Sequence, residues 1–235
     1  MQTFADSFST AFGLIVTGDP ILYEVVGLSL QVTFSAVAMA VLVGGPLGAI
    51  LAIGRFPGRG ILSVVVSALM GLPPVVVGLG LYMALSQSGP FAVFELLYTP
   101  MAMILAQFII VTPIIAAISR QVLSDLSLEY GETLRALRAT RAQTIATLLW
   151  EARPGLLTAT LAGLGRAFAE VGAVMIVGGN INHVTRVMTT SIALETSKGE
   201  LAMAMGLGII LLILSFGINA ALMGVRGTQR ARAYG

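Results

Sequence analysis

Residues 25–54 read VVGLSLQVTFSAVAMAVLVGGPLGAILAIG, thirty positions without one ionisable side chain. A bilayer core of about 30 Å needs about 20 apolar residues in a helix. This stretch is therefore read as a membrane span, and similar charge-free windows recur in the chain. They run from Gly60 to Phe94, from Leu96 to Ser119 and from Leu201 to Val225. The second contains SQSGP at Ser86–Pro90, a polar turn that suits a helix exit, so its helix is placed at 61–85. A further window, 156–177, is apolar except for Arg166 and Glu170. The expectation is an all-α integral membrane chain with five transmembrane helices at about 26–53, 61–85, 98–119, 156–177 and 201–223.

Composition agrees with that reading. The 235 residues are 57% hydrophobic and 10% charged, with a mean hydropathy of +0.94, outside the balance of a water-soluble domain. Residues 1–20 lack a basic start and carry Asp6 and Asp19, so they are not read as a cleaved signal peptide. Phe4, Phe8 and Phe12 recur at helical spacing there, the pattern of a short interfacial helix. With no cysteine and one histidine, disulfides, thiolate chemistry and all-histidine metal sites are excluded.

Basic residues near span ends favour the cytoplasmic side. Arg55 and Arg59 lie between the first two spans; Arg120, Arg135, Arg138, Arg141 and Arg153 between the third and fourth; Arg226, Arg230 and Arg232 follow the last. The opposite segments carry only Arg186 and Lys198, the latter between Glu195 and Glu200. The expected orientation has the N-terminus outside and a cytoplasmic tail at 226–235, which requires an odd number of crossings and agrees with five. The net charge of +2 belongs to these arginines and points to lipid headgroups or protein partners, not nucleic acid.

The segment from Arg120 to Gly155 is long for a loop and rich in Ala, Leu, Arg and Glu. Leu134, Leu137, Ile145, Leu148 and Leu149 recur as an apolar stripe, so an amphipathic helical pair is expected. Such a pair can lie flat on the inner leaflet or dock into another protein. In span two, Pro73 and Pro74 interrupt the backbone hydrogen-bond ladder, either as a packing kink or as a break facing a pore. Arg166 and Glu170, four residues apart, can pair on one helical face. A charge at mid-bilayer costs at least about 2.5–3.5 kcal/mol, so the pair either holds helices together or lines a water-filled path.

On these residues the chain resembles the permeases of binding-protein-dependent ABC transporters. The segment at 120–155 is similar to their cytoplasmic EAA loop, with Glu132, Thr133 and Leu134 at the acidic and small positions and Arg135, Ala136, Leu137, Arg138, Ala139 and Thr140 continuing it. Arg138 stands in place of the usual glycine, and a proline follows only at Pro154. GLPPVVVGL at Gly71–Leu79 resembles the molybdate, tungstate and sulfate group. GAVMIVGGNI, TRVMTT and ETSKG, within Gly165–Gly199, resemble the tungstate branch most closely.

The resemblance implies a type I importer permease fold in the cell (inner) membrane, with no cofactor of its own. It also implies a coupling helix that meets an ABC ATPase subunit using ATP, an extracytoplasmic oxyanion-binding protein and a second copy of the chain. Glu132 to Thr140 are the expected coupling residues; Pro73, Pro74, Arg166 and Glu170 are the expected pore residues. No phosphate-binding GxxxxGK[ST] loop exists, and the single lysine, Lys198, falls on the outer side. His183, near Asn180, Asn182 and Arg186, is read as a solvated loop residue. Gln107, Thr112, Pro113 and Asn219 can serve interhelical hydrogen bonds as well as a pore. A secondary carrier would show inverted repeats, and a membrane enzyme would need more titratable groups than are present.

Overall fold

The computed structural model describes residues 4–54 and 56–233, without the side chains of 4–7, 14 and 221–233. Arg55 and the side chains of Phe4, Asp6, Arg226, Arg230 and Arg232, singled out above, lie outside the described residues. Among the described residues the regular structure is helical. It comprises α1 (Phe4–Thr17), α2 (Pro20–Ile53), α3 (Arg59–Leu69), α4 (Pro74–Leu85), α5 (Pro100–Ala136), α6 (Arg141–Glu151), α7 (Arg153–Phe168), α8 (Gly172–Gly178), α9 (Met188–Lys198) and α10 (Leu201–Ala233), with one 3₁₀ turn at Ala92–Phe94.

Among the described residues three helices are long and apolar enough to cross a bilayer alone: α2, α5 and the Leu201–Ala220 part of α10. The windows expected as spans at 61–85 and 156–177 each contain two helices separated by a break. At Met70–Pro73 the chain leaves α3 through short turns, and Pro73 is extended before Pro74 opens α4. Two successive residues without a backbone N–H cannot continue a helical ladder. At Ala169–Val171 the break contains no proline, and α8 starts under a side-chain cap from Glu170.

Helices also run beyond their apolar windows. The span expected at 98–119 belongs to α5, which continues to Ala136, because Arg120–Ala136 is built largely from good helix formers. Charge ends the apolar window without ending the helix. The segment expected as a coupling helical pair is thus the end of α5, a turn and α6, and α10 extends through the expected tail as far as Ala233. The stretch after Gly179, expected as an exterior loop, contains α9, closed by Gly199 at φ 84°.

The chain divides into two compact units. The first comprises Met1–Ala36, Pro73–Gln107 and Arg166–Asn219. Here Asp19 Oδ1 accepts from the Leu22 amide at 3.0 Å and caps α2, with Pro20 in the first turn. Gly206 of α10 faces Ala11 of α1 and Leu22 of α2, so α1 packs through its small residue and leaves Phe8 and Phe12 exposed.

The second unit comprises Val37–Leu72, Phe108–Gly165 and Ala220–Gly235. Its core joins α2 to α5 through Gly44 and Gly48. A Cβ on Gly48 would stand 2.6 Å from the Ala116 carbonyl oxygen and 2.9 Å from the Arg120 nitrogen, so the two backbones approach closely only because no side chain intervenes. Arg59 closes α2 by donating from Nε to the Leu51 carbonyl at 2.6 Å and from Nη2 to Ala52 at 2.8 Å. This places a cation at the negative helix end. Below them Ala52, Leu123, Leu148 and Ala152 form a buried cluster, with Leu134 against it.

The link from α5 to α6 is a Schellman turn. The Ala139 amide reaches the Leu134 carbonyl, and the Arg138 amide reaches Arg135, each at 3.0 Å. Arg138 occupies the left-handed position at φ 53°, where glycine is favoured. Thr140 then caps α6 in a reciprocal pair with Gln143, at 3.3 Å and 2.8 Å. Arg138→Gly is therefore expected to raise stability by up to about 1 kcal/mol, read as a higher unfolding temperature in detergent.

A candidate translocation site at two helix breaks

The breaks before α4 and α8 come together inside the first unit. Gly78 packs on Ala173 so tightly that a Cβ would lie 2.7 Å from the Ala173 Cα, and one on Gly172 would lie 2.8 Å from Val75 Cγ2. Small residues thus let the two short helices touch, with Pro74 opening one and Glu170 capping the other. Of the expected pore residues, Pro73 is exposed and Pro74 half-buried.

Glu170 is 2% exposed and its polar groups are engaged. Oε1 accepts the Ala173 amide at 2.9 Å, Oε2 lies 3.1 Å from Arg166 Nη1, and its carbonyl accepts Thr189 Oγ1 at 2.9 Å. Arg166 closes α7 while Glu170 lies in the break, so the pair spans the end of one helix and the start of another. Arg166 remains 30% exposed, with guanidinium donors beyond the one on Glu170. The carboxylate is fully engaged, whereas the guanidinium keeps donors that Glu170 does not use.

Beside the break is a small cavity of about 10 Å³ in which Ser29, Thr33, Gln107 and Thr189 face apolar neighbours, among them Val32, Phe168 and Leu211. That volume holds about one water, not a polyatomic ion. Buried Gln107 donates from Nε2 to the Ala167 carbonyl at 3.3 Å, while its Oε1 faces no protein partner. Ser29 Oγ donates to the Val25 carbonyl and accepts the Met188 amide, both at 2.7 Å, satisfying an otherwise orphaned donor at the start of α9. Ser29→Ala is expected to cost about 1–3 kcal/mol, the penalty of a buried unpaired amide, measurable as a fall in unfolding temperature.

Sequence reading singled out no role for Ser29, Thr33 or Thr189. Thr189 lies in the TRVMTT run, so the resemblance marked its segment but not its contact. His183 is exposed, yet not merely solvated: its Nδ1 lies 2.8 Å from Glu24 Oε2.

The expected coupling residues lie in the second unit. Glu132, Thr133, Arg135, Ala136, Leu137, Arg138 and Thr140 are exposed, while Leu134 and Ala139 are half-buried. The apolar stripe divides accordingly: Leu148 is buried with Leu134 against its cluster, whereas Leu137 is 72% exposed.

Apolar helices, two of the windows broken in mid-course, and a buried carboxylate held by an arginine at one of the breaks are the features of a polytopic membrane protein. The chain belongs to the family of binding-protein-dependent transport system inner membrane components, which residues 44–226 match. It is 40% identical over 222 residues to the tungstate uptake system permease protein TupB of Peptoclostridium acidaminophilum, covering 94% of this chain and 97% of that one. The protein of the same description from Campylobacter jejuni is 34% identical, covering 91% and 90%. A chain of the MetNI methionine ABC transporter in an inward-facing conformation superposes with a TM-score of 0.72 at 21% identity, covering 89% of this chain and 98% of that one, and it shares the fold. The chain is thus a permease subunit and not an enzyme.

Proposed function

We propose that this chain is the pore-forming subunit of an ATP-driven, binding-protein-dependent importer of an oxyanion, and that the anion is tungstate. The observation that carries the cargo is the near full-length likeness to two tungstate permeases. Five spans follow if α3 with α4 and α7 with α8 each make one crossing, as their combined apolarity allows. The N-terminus is then outside and the C-terminus cytoplasmic. In support, Arg59, Arg120, Arg135, Arg138, Arg141 and Arg153 fall in the alternate connections between spans, whereas the other connections carry only Arg186 and Lys198.

In this reading two copies of the chain enclose the path, and the exposed Glu132–Thr140 segment of each meets an ATPase subunit. Closure of the ATPases on ATP and arrival of a loaded binding protein bias one inward–outward equilibrium from its two ends. The one helix α5 carries both Gln107 and Glu132, which gives that coupling a covalent connection. Arg166, neutralised by Glu170, adds no net charge at the break but keeps guanidinium donors to spare, so a divalent oxyanion can be contacted there without being trapped. The pair of prolines keeps α4 short, so that the break before it lies next to Glu170.

The test is uptake of labelled tungstate by the complete complex in proteoliposomes, with molybdate or sulfate as competitor. Uptake that persists in excess molybdate and sulfate is expected. Equal displacement by molybdate would assign the complex to molybdate or to the anions jointly.

A further inference from the structure

The single tryptophan of the chain, Trp150, lies near the end of α6 and is 62% exposed. Leu148, two residues earlier, is buried with Ala52, Leu123 and Ala152. At 3.6 residues per turn the two side chains diverge by about 200°, so the indole points away from the core. The guanidinium of Arg153 stacks on it at 3.1 Å from the ring centroid, and Arg153 Nε donates to the Trp150 carbonyl at 2.7 Å. Both groups are thereby fixed side by side. Arg153 has no ion pair with a carboxylate among the described residues, the exposed neighbour Glu151 included, and its two Nη groups remain available.

This stack sits where polar chain becomes apolar. Arg153 is the first residue of α7, and residues 154–165 contain no charge. Indole rings partition to the level of lipid headgroups, and a guanidinium with free Nη groups matches the paired oxygens of a phosphate. A negatively charged lipid complements the unpaired cation.

We propose that Trp150 and Arg153 form a binding site for the phosphate of an anionic phospholipid in the cytoplasmic leaflet. The inference rests on the topology set out under Proposed function and is independent of the cargo. The lipid anchors the hinge between α6 and α7, leaving Glu132–Thr140 to the ATPase.

The lone tryptophan supplies its own probe. The full chain is reconstituted in vesicles in which either phosphatidylglycerol or phosphatidylcholine carries brominated acyl chains, at equal bromine content, and quenching of Trp150 is measured. Enrichment of phosphatidylglycerol by about fivefold is expected, and Arg153→Gln should abolish it while quenching by brominated phosphatidylcholine persists. Arg141→Gln should retain the preference. Equal quenching by both lipids in the unsubstituted chain, or loss of preference in both variants alike, would overturn the site and leave the topology standing. No quenching by either lipid would place Trp150 outside the membrane and overturn the site, again leaving the topology standing. Shielding of Trp150 from acrylamide only when the ATPase is added would assign the ring to that protein instead.

Discussion

Replacing Glu132 by Lys together with Ala136 by Leu is expected to uncouple ATP hydrolysis from uptake. Both residues lie on the exposed last turn of α5, immediately before the Schellman turn at Arg138. Their substitution meets no buried contact of this chain, so membrane insertion and unfolding temperature should stay near those of the unsubstituted protein. An interface that loses a charge contact and gains a bulky side chain forfeits about 2 kcal/mol or more, equivalent to about 30-fold in association. Uptake in proteoliposomes should fall by that order, with the ATPase dissociated or hydrolysing ATP without transport. Normal uptake in the double variant would remove Glu132–Thr140 from the coupling surface.

The largest stability effect is expected at Arg166. Arg166→Ala leaves the Glu170 carboxylate buried with its compensating charge gone, a loss of about 3–5 kcal/mol. A large fall in folded yield and unfolding temperature should follow. That result alone would not separate a structural pair from a path-lining cation, and a second variant does so. Arg166→Met with Glu170→Gln removes both charges while Gln keeps an oxygen for the Ala173 amide. Stability should recover most of the loss, because a buried ion pair is often worth little against neutral groups of similar volume. Uptake should nevertheless remain depressed by about tenfold, equivalent to about 1.4 kcal/mol, since the passing anion has lost its fixed cation. Full uptake in the neutral pair would reduce Arg166 and Glu170 to a helix clamp.

The features read correctly from sequence are those whose signal is local. Residues 25–54 announce an apolar helix through composition, Pro73–Pro74 announce a break through lost donors, and the spacing of Arg166 and Glu170 announces their pairing. The features missed have physical reasons. The continuation of α5 past Arg120 carries no hydropathy signal, because a helix leaving lipid needs only helix-forming residues. The break before α8 contains no proline, and it is made by a carboxylate that caps a helix start. The contacts of Ser29 with Met188 and of Glu24 with His183 each join residues 159 positions apart, a pairing that only the folded chain brings about. Arg138 is intermediate: its departure from the family's glycine was visible in sequence, but its left-handed backbone explains why glycine is usual there.

The most direct measurement of transport is tungstate accumulation in proteoliposomes containing this chain, the ATPase and the binding protein proposed as its partners, each omitted in turn, with and without ATP. Accumulation only when all three proteins and ATP are present is the expected result. Accumulation by this chain alone, driven by the tungstate gradient without ATP, would contradict the importer and make the chain a stand-alone anion carrier.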